Sequence, residues 1–284
     1  MQACAEFSQV KKQIDDFHMG PVDLAIEPGT ITALVGSNGS GKSTLLKLMM
    51  DLTNADSGVI HIFDTPVDTN NESWKRHVAY LPQAHIGYHP YTGQDLKEMI
   101  APMYPDWDDN LFAEIVGTFH LPLNKKYGKL SQGMQQKLSL ALTIPRNAPL
   151  LLLDEPTAFM DIPSKRMLMD LLTDWVDQGE RAIVMTSHQA ENIMKLADYL
   201  CVLQDGKQIG TFEKEELLQR YRKYWVSSSL PEEAVPGEIA REGQAILSDQ
   251  PEATETFFRD SDLAITHQTA LDLEEILSYL LKQP

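Results

Sequence analysis

Short apolar runs alternate with stretches of helical periodicity over most of the chain. One run, Leu150–Leu153, is apolar at every position, as expected of a strand buried on both faces of a sheet. Residues 163–178 instead carry apolar side chains at helical spacing. Strands that alternate with helices predict an α/β fold with a mostly parallel core sheet. The predicted core strands are 31–35, 78–82, 150–153 and 181–185.

Other elements flank this core. Short strands, expected to pair antiparallel, are predicted at 3–10 and 22–26, and a terminal hairpin at 200–203 and 208–212. Between the core strands the pattern changes, because residues 84–130 mix aromatic residues with prolines and predict helices near 93–103 and 108–119. A further helix is predicted from Leu130 to about Thr143. We expect an inserted helical subdomain over about 84–148.

The last quarter of the chain has a different composition. From Glu213 to Pro284 there are fifteen Asp and Glu residues against seven Lys and Arg, and the final helix, Leu271–Leu281, carries an apolar stripe. The stripe consists of Leu273, Ile276, Leu277, Leu280 and Leu281. The expected organisation is a main domain at 1–215 and a small C-terminal α/β domain at 216–284.

Composition limits the function classes. The net charge of −17 argues against nucleic acid as a main partner, since phosphate contacts need clustered Lys and Arg. Two cysteines, Cys4 and Cys201, are too few and too far apart for a disulfide framework, which fits a reducing compartment. No signal peptide is apparent, and no apolar run approaches the ~18–20 residues of a membrane span. A role at a membrane would therefore need another chain to supply the membrane part.

A glycine-rich stretch follows the first core strand and precedes an apolar helix. Its spacing is G-x-x-x-x-G-K-[ST], in which backbone N–H groups and a helix N-terminus surround a phosphate. Lys42 can reach the β- and γ-phosphates, and the Ser43 hydroxyl can ligate Mg²⁺. This is a candidate nucleotide phosphate site, made of Gly36, Ser37, Asn38, Gly39, Ser40, Gly41, Lys42, Ser43 and Thr44.

Polar residues at the ends of later core strands are candidates for the same site. Asp154 ends an apolar strand, where a P-loop NTPase holds Mg²⁺, and Glu155 is placed to polarise an attacking water. Gln83 follows strand 78–82 and could contact the Mg²⁺ shell or the water. His188 follows strand 181–185 and could contact the γ-phosphate edge. The expected Mg²⁺ ligands are Ser43, Gln83 and Asp154.

Together with Leu130–Met134, these residues resemble, in their order, the ATP-binding subunit of an ABC transporter over roughly residues 3–215. The resemblance implies a P-loop NTPase fold of ABC type with ATP and Mg²⁺ as cofactors. Gln83, Glu155 and His188 match its catalytic positions, and Asp161 matches its D-loop. It also implies pairing with a second ABC ATPase subunit, the same or a homologous chain. Ser131 and Gly133 of the signature would then contact the ATP held by that partner.

The chain departs from the usual family pattern at two places. The signature Leu-Ser-Gly-Gly-Gln is here Leu-Ser-Gln-Gly-Met, and with the Tyr-Pro-x-Trp stretch at 104–107 it resembles the bacterial exporter branch. The aromatic residue that would stack on adenine is not at its expected place, near which Gln13 stands. Phe7 and Phe17 are alternative candidates, and weak discrimination between ATP and GTP is expected.

The implied function is ATP hydrolysis that drives separate transmembrane permease subunits, as an exporter of a small molecule, drug or peptide. The protein would then be cytoplasmic and peripheral on the inner face of the cell membrane. One alternative is a soluble ABC-type ATPase acting on a macromolecular complex, but such chains usually carry two phosphate loops or a long coiled coil. A P-loop kinase or GTPase is the other, and the Leu130–Met134 helix and His188 disfavour it.

Overall fold

A computed structural model describes residues 2–68, 72–84, 86–187, 190–227 and 230–282. The chain divides into two compact units, Met1–Thr211 and Phe212–Pro284. The strands of the first unit are, in chain order, β1 (Ala5–Ile14), β2 (Phe17–Ile26), β3 (Ile31–Val35), β4 (Ser57–Ile62), β5 (Thr65–Pro66), β6 (Val78–Leu81), β7 (Leu150–Leu153), β8 (Ala182–Thr186), β9 (Tyr199–Gln204) and β10 (Lys207–Glu213). Strand β10 ends two residues beyond the boundary between the units.

The helices of the first unit follow the same order. They are α1 (Lys42–Met49), α2 (Gly93–Ile100), α3 (Asp109–Thr118), α4 (Gln132–Thr143), α5 (Ile162–Val176) and α6 (Ala190–Leu196). Single 3₁₀ turns connect several of them, at Ser73–His77, Ala101–Met103, Tyr127–Lys129 and Ile144–Arg146.

The central sheet has the order β10-β9-β3-β8-β7-β6 in the described part of the chain. Neighbours from β9 to β6 pair in parallel, and every residue of β3, β6, β7 and β8 is buried. Burial on both faces explains why these strands are continuous apolar runs in the sequence. The predicted α/β class with a mostly parallel core is therefore confirmed. Because the strands are parallel, β3, β7 and β8 end at the same edge of the sheet.

A second sheet, β2-β1-β4-β5, is antiparallel. Its inner face shares one hydrophobic cluster with α1 and the central sheet, including Val10, Leu24, Leu46, Leu150 and Val184. The strands predicted at 3–10 and 22–26 are longer than expected, since they continue into a hairpin that is mostly exposed. There the chain is polar, so the apolar alternation that marks a strand is lost.

The inserted region contains α2, α3 and α4 between β6 and β7. All three helices start at side-chain caps. Thr92 and Asp95 form a reciprocal capping box before α2, Asp108 accepts two backbone N–H groups before α3, and Ser131 accepts one before α4. Tyr127 lies on this region's inner side, where it is within hydrogen-bond distance of Ser139 of α4. The helices were predicted near these positions from their apolar spacing.

The second unit is built on an antiparallel sheet whose strands lie in the order Glu238–Glu242 (β12), Ala245–Ser248 (β13), Arg222–Val226 (β11) and Ile265–Ala270 (β14). Tyr224 of its central strand is fully buried and packs edge-on against Phe258, and its hydroxyl donates to Glu255 at 2.8 Å. The apolar stripe of the last helix is buried at Leu273, Ile276, Leu277 and Leu280 within the single chain. The elements are α7 (Lys214–Arg220), β11 (Arg222–Val226), β12 (Glu238–Glu242), β13 (Ala245–Ser248), α8 (Pro251–Asp260), β14 (Ile265–Ala270) and α9 (Leu273–Leu280).

Candidate functional site

The glycine-rich loop connects β3 to α1, as the motif requires. Gly41 precedes the helix with a left-handed φ of 108°, and a Cβ there would come within 3.1 Å of the Met19 sulfur. A Cβ on Gly36 would lie 2.1 Å from the Leu203 carbonyl oxygen, so a larger residue cannot occupy that position without moving the backbone. The loop is thus closely packed against β2 and the end of β9, which fixes where α1 begins.

Lys42 is buried and points back into the loop. Its side chain is 7% exposed, and Nζ donates to the carbonyl oxygens of Gly36 at 2.8 Å and Ser37 at 2.9 Å. Burial lowers the pKa of this ammonium group, while the negative charges of Glu155 and Asp154 oppose that shift. A cation is therefore held inside the loop with two carboxylates nearby.

Asp154 is the centre of a hydrogen-bond network where the core strands end. It is 3% exposed, and its Oδ1 accepts from Ser43 Oγ at 3.1 Å and from Thr186 Oγ1 at 2.8 Å. The Thr186 hydroxyl in turn accepts the backbone N–H of Glu155 at 2.8 Å. Thr186 is the last residue of β8, the strand next to β7. Its hydroxyl therefore fixes Asp154 and Glu155, the two residues that follow β7. Burial, together with the charge of Asp154, raises the pKa of Tyr80 to about 12.

Nine of the predicted site residues line one cavity of about 580 Å³. They are Asn38, Gly39, Gly41, Lys42, Ser43, Thr44, Gln83, Asp154 and Glu155. The structure thus brings together the residues that the sequence predicts from three separate strand ends. His188 lies outside the described residues.

The other end of this cavity is formed by the first hairpin. Ile14 and Phe17 line it, and a Cβ on Gly41 would lie 3.3 Å from the Phe17 ring. Phe7, the alternative candidate for stacking on the base, is 2% exposed and packs in the core of the antiparallel sheet, so its candidacy is wrong. The backbone N–H of Gln13 instead donates to the side chain of Asp56, the residue directly before β4, at 2.6 Å.

The residues at the loop fit a magnesium-bound triphosphate. The Ser43 hydroxyl and the Asp154 carboxylate are hard oxygen ligands, 3.1 Å apart, beside a buried ammonium group. The Ser40 hydroxyl is buried in the loop and makes no hydrogen bond among the described residues. No cluster of three or more His, Cys, Asp or Glu side chains suited to a metal occurs in the described ranges. A metal here would complete its coordination with phosphate oxygens and water.

The signature residues lie at a second surface of the first unit. Ser131 caps α4, accepting the N–H of Met134 at 3.3 Å, and Asp161 caps α5, accepting the N–H of Ser164 at 2.8 Å. Both residues line a second cavity of about 500 Å³, with Gly133 between them. Ser131 and Gly133 are therefore brought together with Asp161, but not with the Lys42 cavity of the same chain.

Comparison with known sequences decides the family. The sequence profile of the ABC transporter family matches residues 19–158. The ABC transporter ATP-binding protein YtrB of Bacillus subtilis (strain 168) is 30% identical over 281 residues, which are 95% of this chain and 96% of YtrB. The chain belongs to the family of ABC transporter ATP-binding proteins. As a member, this ABC subunit binds ATP and is an ATPase.

Other relatives and solved structures agree with this assignment. Nod factor export ATP-binding protein I of Burkholderia thailandensis is 26% identical over 230 residues, covering 75% of this chain and 72% of the relative. The structure of an ATP-binding subunit of an ABC transporter superposes with a TM-score of 0.69 at 21% identity, over 76% of this chain and 92% of that one. An Atm1-family exporter with ATP bound gives 0.66 at 22% identity, over 77% and 40%. The two structures support the fold.

Two residues of the ABC subunit's site were missed from the sequence. Thr186 links Asp154 to Glu155, and Gln136 of α4 donates to the carbonyl oxygens of Glu155 and Pro156 at 3.2 and 3.1 Å. Thr186 directly precedes the Ser-His pair after a core strand, which is the signal that could have found it. Gln136 is one of several glutamines in α4 and has no such signal.

Proposed function

We propose that this subunit binds ATP with Mg²⁺ in the Lys42 cavity and hydrolyses it there. The observation that carries this proposal is the Lys42–Ser43–Asp154 cluster at the end of β3 and β7, because a buried cation and two hard oxygen ligands converge on one loop. Lys42 and the loop N–H groups would bind the phosphates. Ser43, Asp154 and Gln83 would hold the metal, which when bound neutralises charge on the phosphoryl oxygens.

Glu155 is proposed as the group that orients and polarises the attacking water. It lines the same cavity, one residue beyond Asp154, and its backbone is fixed by Thr186 and Gln136. A carboxylate in this position can accept a proton from water while Asp154 remains with the metal. His188 stays a proposed contact to the γ-phosphate edge.

The signature surface is proposed to bind the nucleotide of a second ABC ATPase subunit. Ser131 and Gly133 lie at the N-terminus of α4, a twelve-residue helix whose first N–H groups favour an anion. They are separate from this chain's own phosphate loop, so a second chain is needed to use them. Asp161 of the D-loop would lie at the same interface.

The hydrolysis is proposed to drive separate permease subunits, with export as the direction. The relatives named for Nod factor export match about three quarters of this chain. YtrB, which is named as an ABC transporter ATP-binding protein, matches 95% of it. The permease is proposed to be a separate chain. None of the helices in the described ranges is long and apolar enough to cross a membrane. The subunit would then lie on the cytoplasmic face of the membrane.

Substitution of Glu155 tests the catalytic proposal. Glu155→Gln should bind ATP as the wild type does but hydrolyse it about 10²–10⁴-fold more slowly, because the amide cannot accept the proton. Glu114→Gln, at an exposed position of α3, is the matched control and should leave turnover unchanged. Binding is measured by equilibrium dialysis and turnover by phosphate release. Wild-type turnover in Glu155→Gln would remove this residue from the role.

Co-purification tests the transport proposal. The tagged Glu155→Gln chain is solubilised from membranes with ATP present, and co-purifying proteins are identified by mass spectrometry. A protein with several membrane-spanning helices, bound at a fixed ratio, is the expected result. Recovery of the chain only with ribosomes or another macromolecular complex would instead favour the alternative function.

A further inference from the structure

The first turns of α4 contact one short segment, residues 155–161, which we call the glutamate segment. A Cβ on Gly133 would lie 2.6 Å from the backbone oxygen of Phe159. Lys137 Nζ lies 3.5 Å from the Asp161 carboxylate. Between these contacts Gln136 reaches the start of the segment. The helix that begins with the signature is therefore packed directly on the residues that follow Asp154.

Gln136 makes the deepest of these contacts. Its side chain is 8% exposed, and Nε2 donates to the carbonyl oxygens of Glu155 at 3.2 Å and Pro156 at 3.1 Å. A primary amide has two N–H donors, so both are used on consecutive carbonyl groups. Loss of this amide would leave at least one buried carbonyl group without its partner, which is costly.

The backbone of Glu155 needs such support. Its φ is 52°, in the left-handed region that costs a residue with a Cβ of order 1–3 kcal/mol and persists only where the surroundings fix it. The N–H is bound by the Thr186 hydroxyl, and the carbonyl oxygen accepts both Gln136 and the N–H of Ala158 at 3.0 Å. Thr186 belongs to the central sheet and Gln136 to the signature helix. Glu155 is thus held between two elements that belong to different parts of the unit.

We propose that Gln136 is a positioning residue that fixes the backbone of Glu155 and makes its orientation depend on the position of the signature helix. The proposal rests on the proposed catalytic role of Glu155. A shift of α4, which would contact the second subunit's nucleotide, then moves the carbonyl groups of Glu155 and Pro156 in the same chain. Engagement of the signature and alignment of the catalytic carboxylate become linked through one amide.

The helix itself offers a matched control. Gln135 is the neighbouring residue, and its Nε2 also donates to two carbonyl oxygens, those of Tyr127 at 3.0 Å and Leu130 at 3.2 Å. Gln135→Met and Gln136→Met remove the same kind of bonds from the same helix. They differ in the target, because the Gln135 bonds stay within the inserted helical region.

The test compares turnover, ATP affinity and backbone exchange in these variants. Gln136→Met should lower kcat about 10–100-fold with the ATP dissociation constant unchanged, since misplacement of a catalytic group affects the chemical step. Gln135→Met should leave kcat within about twofold of wild type. Gln136→Glu, which keeps the size but loses the donors, should behave like Gln136→Met. Equal kcat in Gln135→Met and Gln136→Met would overturn the proposal.

Two further readouts separate positioning from general damage. In the nucleotide-free protein, amide exchange at Glu155 and Ala158 should become faster in Gln136→Met and not in Gln135→Met; unchanged exchange would overturn the proposal. In a Glu155→Gln background, Gln136→Met should cause no further loss of turnover, whereas a general folding defect would lower it again. If Glu155→Gln alone hydrolyses ATP normally, the catalytic role of Glu155 fails, while the exchange result still reports whether Gln136 fixes the segment.

Discussion

Replacement of Gly133 by alanine tests the close packing of α4 on the glutamate segment. The built Cβ lies 2.6 Å from the Phe159 backbone oxygen, so helix and segment must separate by at least about 0.4 Å before any tolerable contact is reached. Gly117 is the matched control, because it also lies one residue inside a helix end, and a Cβ there meets nothing within 4 Å.

The magnitude follows from the difference between the two variants. Alanine is favoured over glycine in a helix by about 0.5–1 kcal/mol, and this gain is common to Gly117→Ala and Gly133→Ala. Overpacking costs about 1–3 kcal/mol and applies only at Gly133. Gly117→Ala should therefore stabilise the protein slightly, and Gly133→Ala should be less stable than Gly117→Ala by about 1–3 kcal/mol.

Urea unfolding measures this difference, with tryptophan fluorescence as the signal, since Trp74 and Trp175 are both buried in the first unit. The midpoint of Gly133→Ala should fall below that of Gly117→Ala with a similar slope. Equal midpoints would refute the reasoning, since they would mean that the segment moves away from α4 without cost. In that case contact with α4 could not fix the glutamate segment either.

Other predictions concern the base, the thiols and the C-terminal unit. Phe17→Ala should weaken ATP binding about tenfold and leave binding of inorganic triphosphate unchanged, because stacking contributes roughly 1–3 kcal/mol per base. If Phe17→Ala weakened triphosphate binding as much as ATP binding, the stacking role would be contradicted. Phe7→Ala should chiefly lower the unfolding midpoint. Burial raises the pKa of Cys4 to about 11 and of Cys201 to about 12, so iodoacetamide at pH 8 should label neither until urea is added, and rapid labelling of the native protein would contradict this. Removal of residues 222–284 should leave ATP affinity unchanged and weaken dimerisation in sedimentation, whereas loss of ATP affinity in the folded truncation would place the second unit at the site.

The linear motifs predicted the phosphate loop and Asp154 because their neighbours along the chain determine their geometry. Gln136 could not be predicted in this way, since its role depends on how α4 packs on a segment about twenty residues away in sequence. The sequence could not distinguish Phe7 from Phe17 for a related reason. The register of β1 against β2 shifts after Phe7, and Gln9 adopts a φ of 51°, so simple alternation cannot tell which ring faces the cavity.

The C-terminal sheet shows the same limit of sequence patterns. β13 is buried at every position and β14 is exposed at every position, although they belong to one sheet. An edge strand without a buried face has no apolar alternation, so nothing in Ile265–Ala270 distinguishes it from a loop. The final helix was predictable because its stripe repeats at helical spacing.

The hydrogen bonds of Lys42 to Gly36 and Ser37 bear on the entropy change that phosphate binding would cause at this side chain. The side chain is already confined by two carbonyl oxygens in the loop, so its rotameric entropy, about 2 kcal/mol for a lysine, is lost when the chain folds and not when nucleotide binds. An ammonium group has three N–H donors, and the two carbonyl oxygens use two of them. A phosphate proposed to bind here would therefore meet a cation that is already held in place, and the entropy change at the side chain on binding would be small.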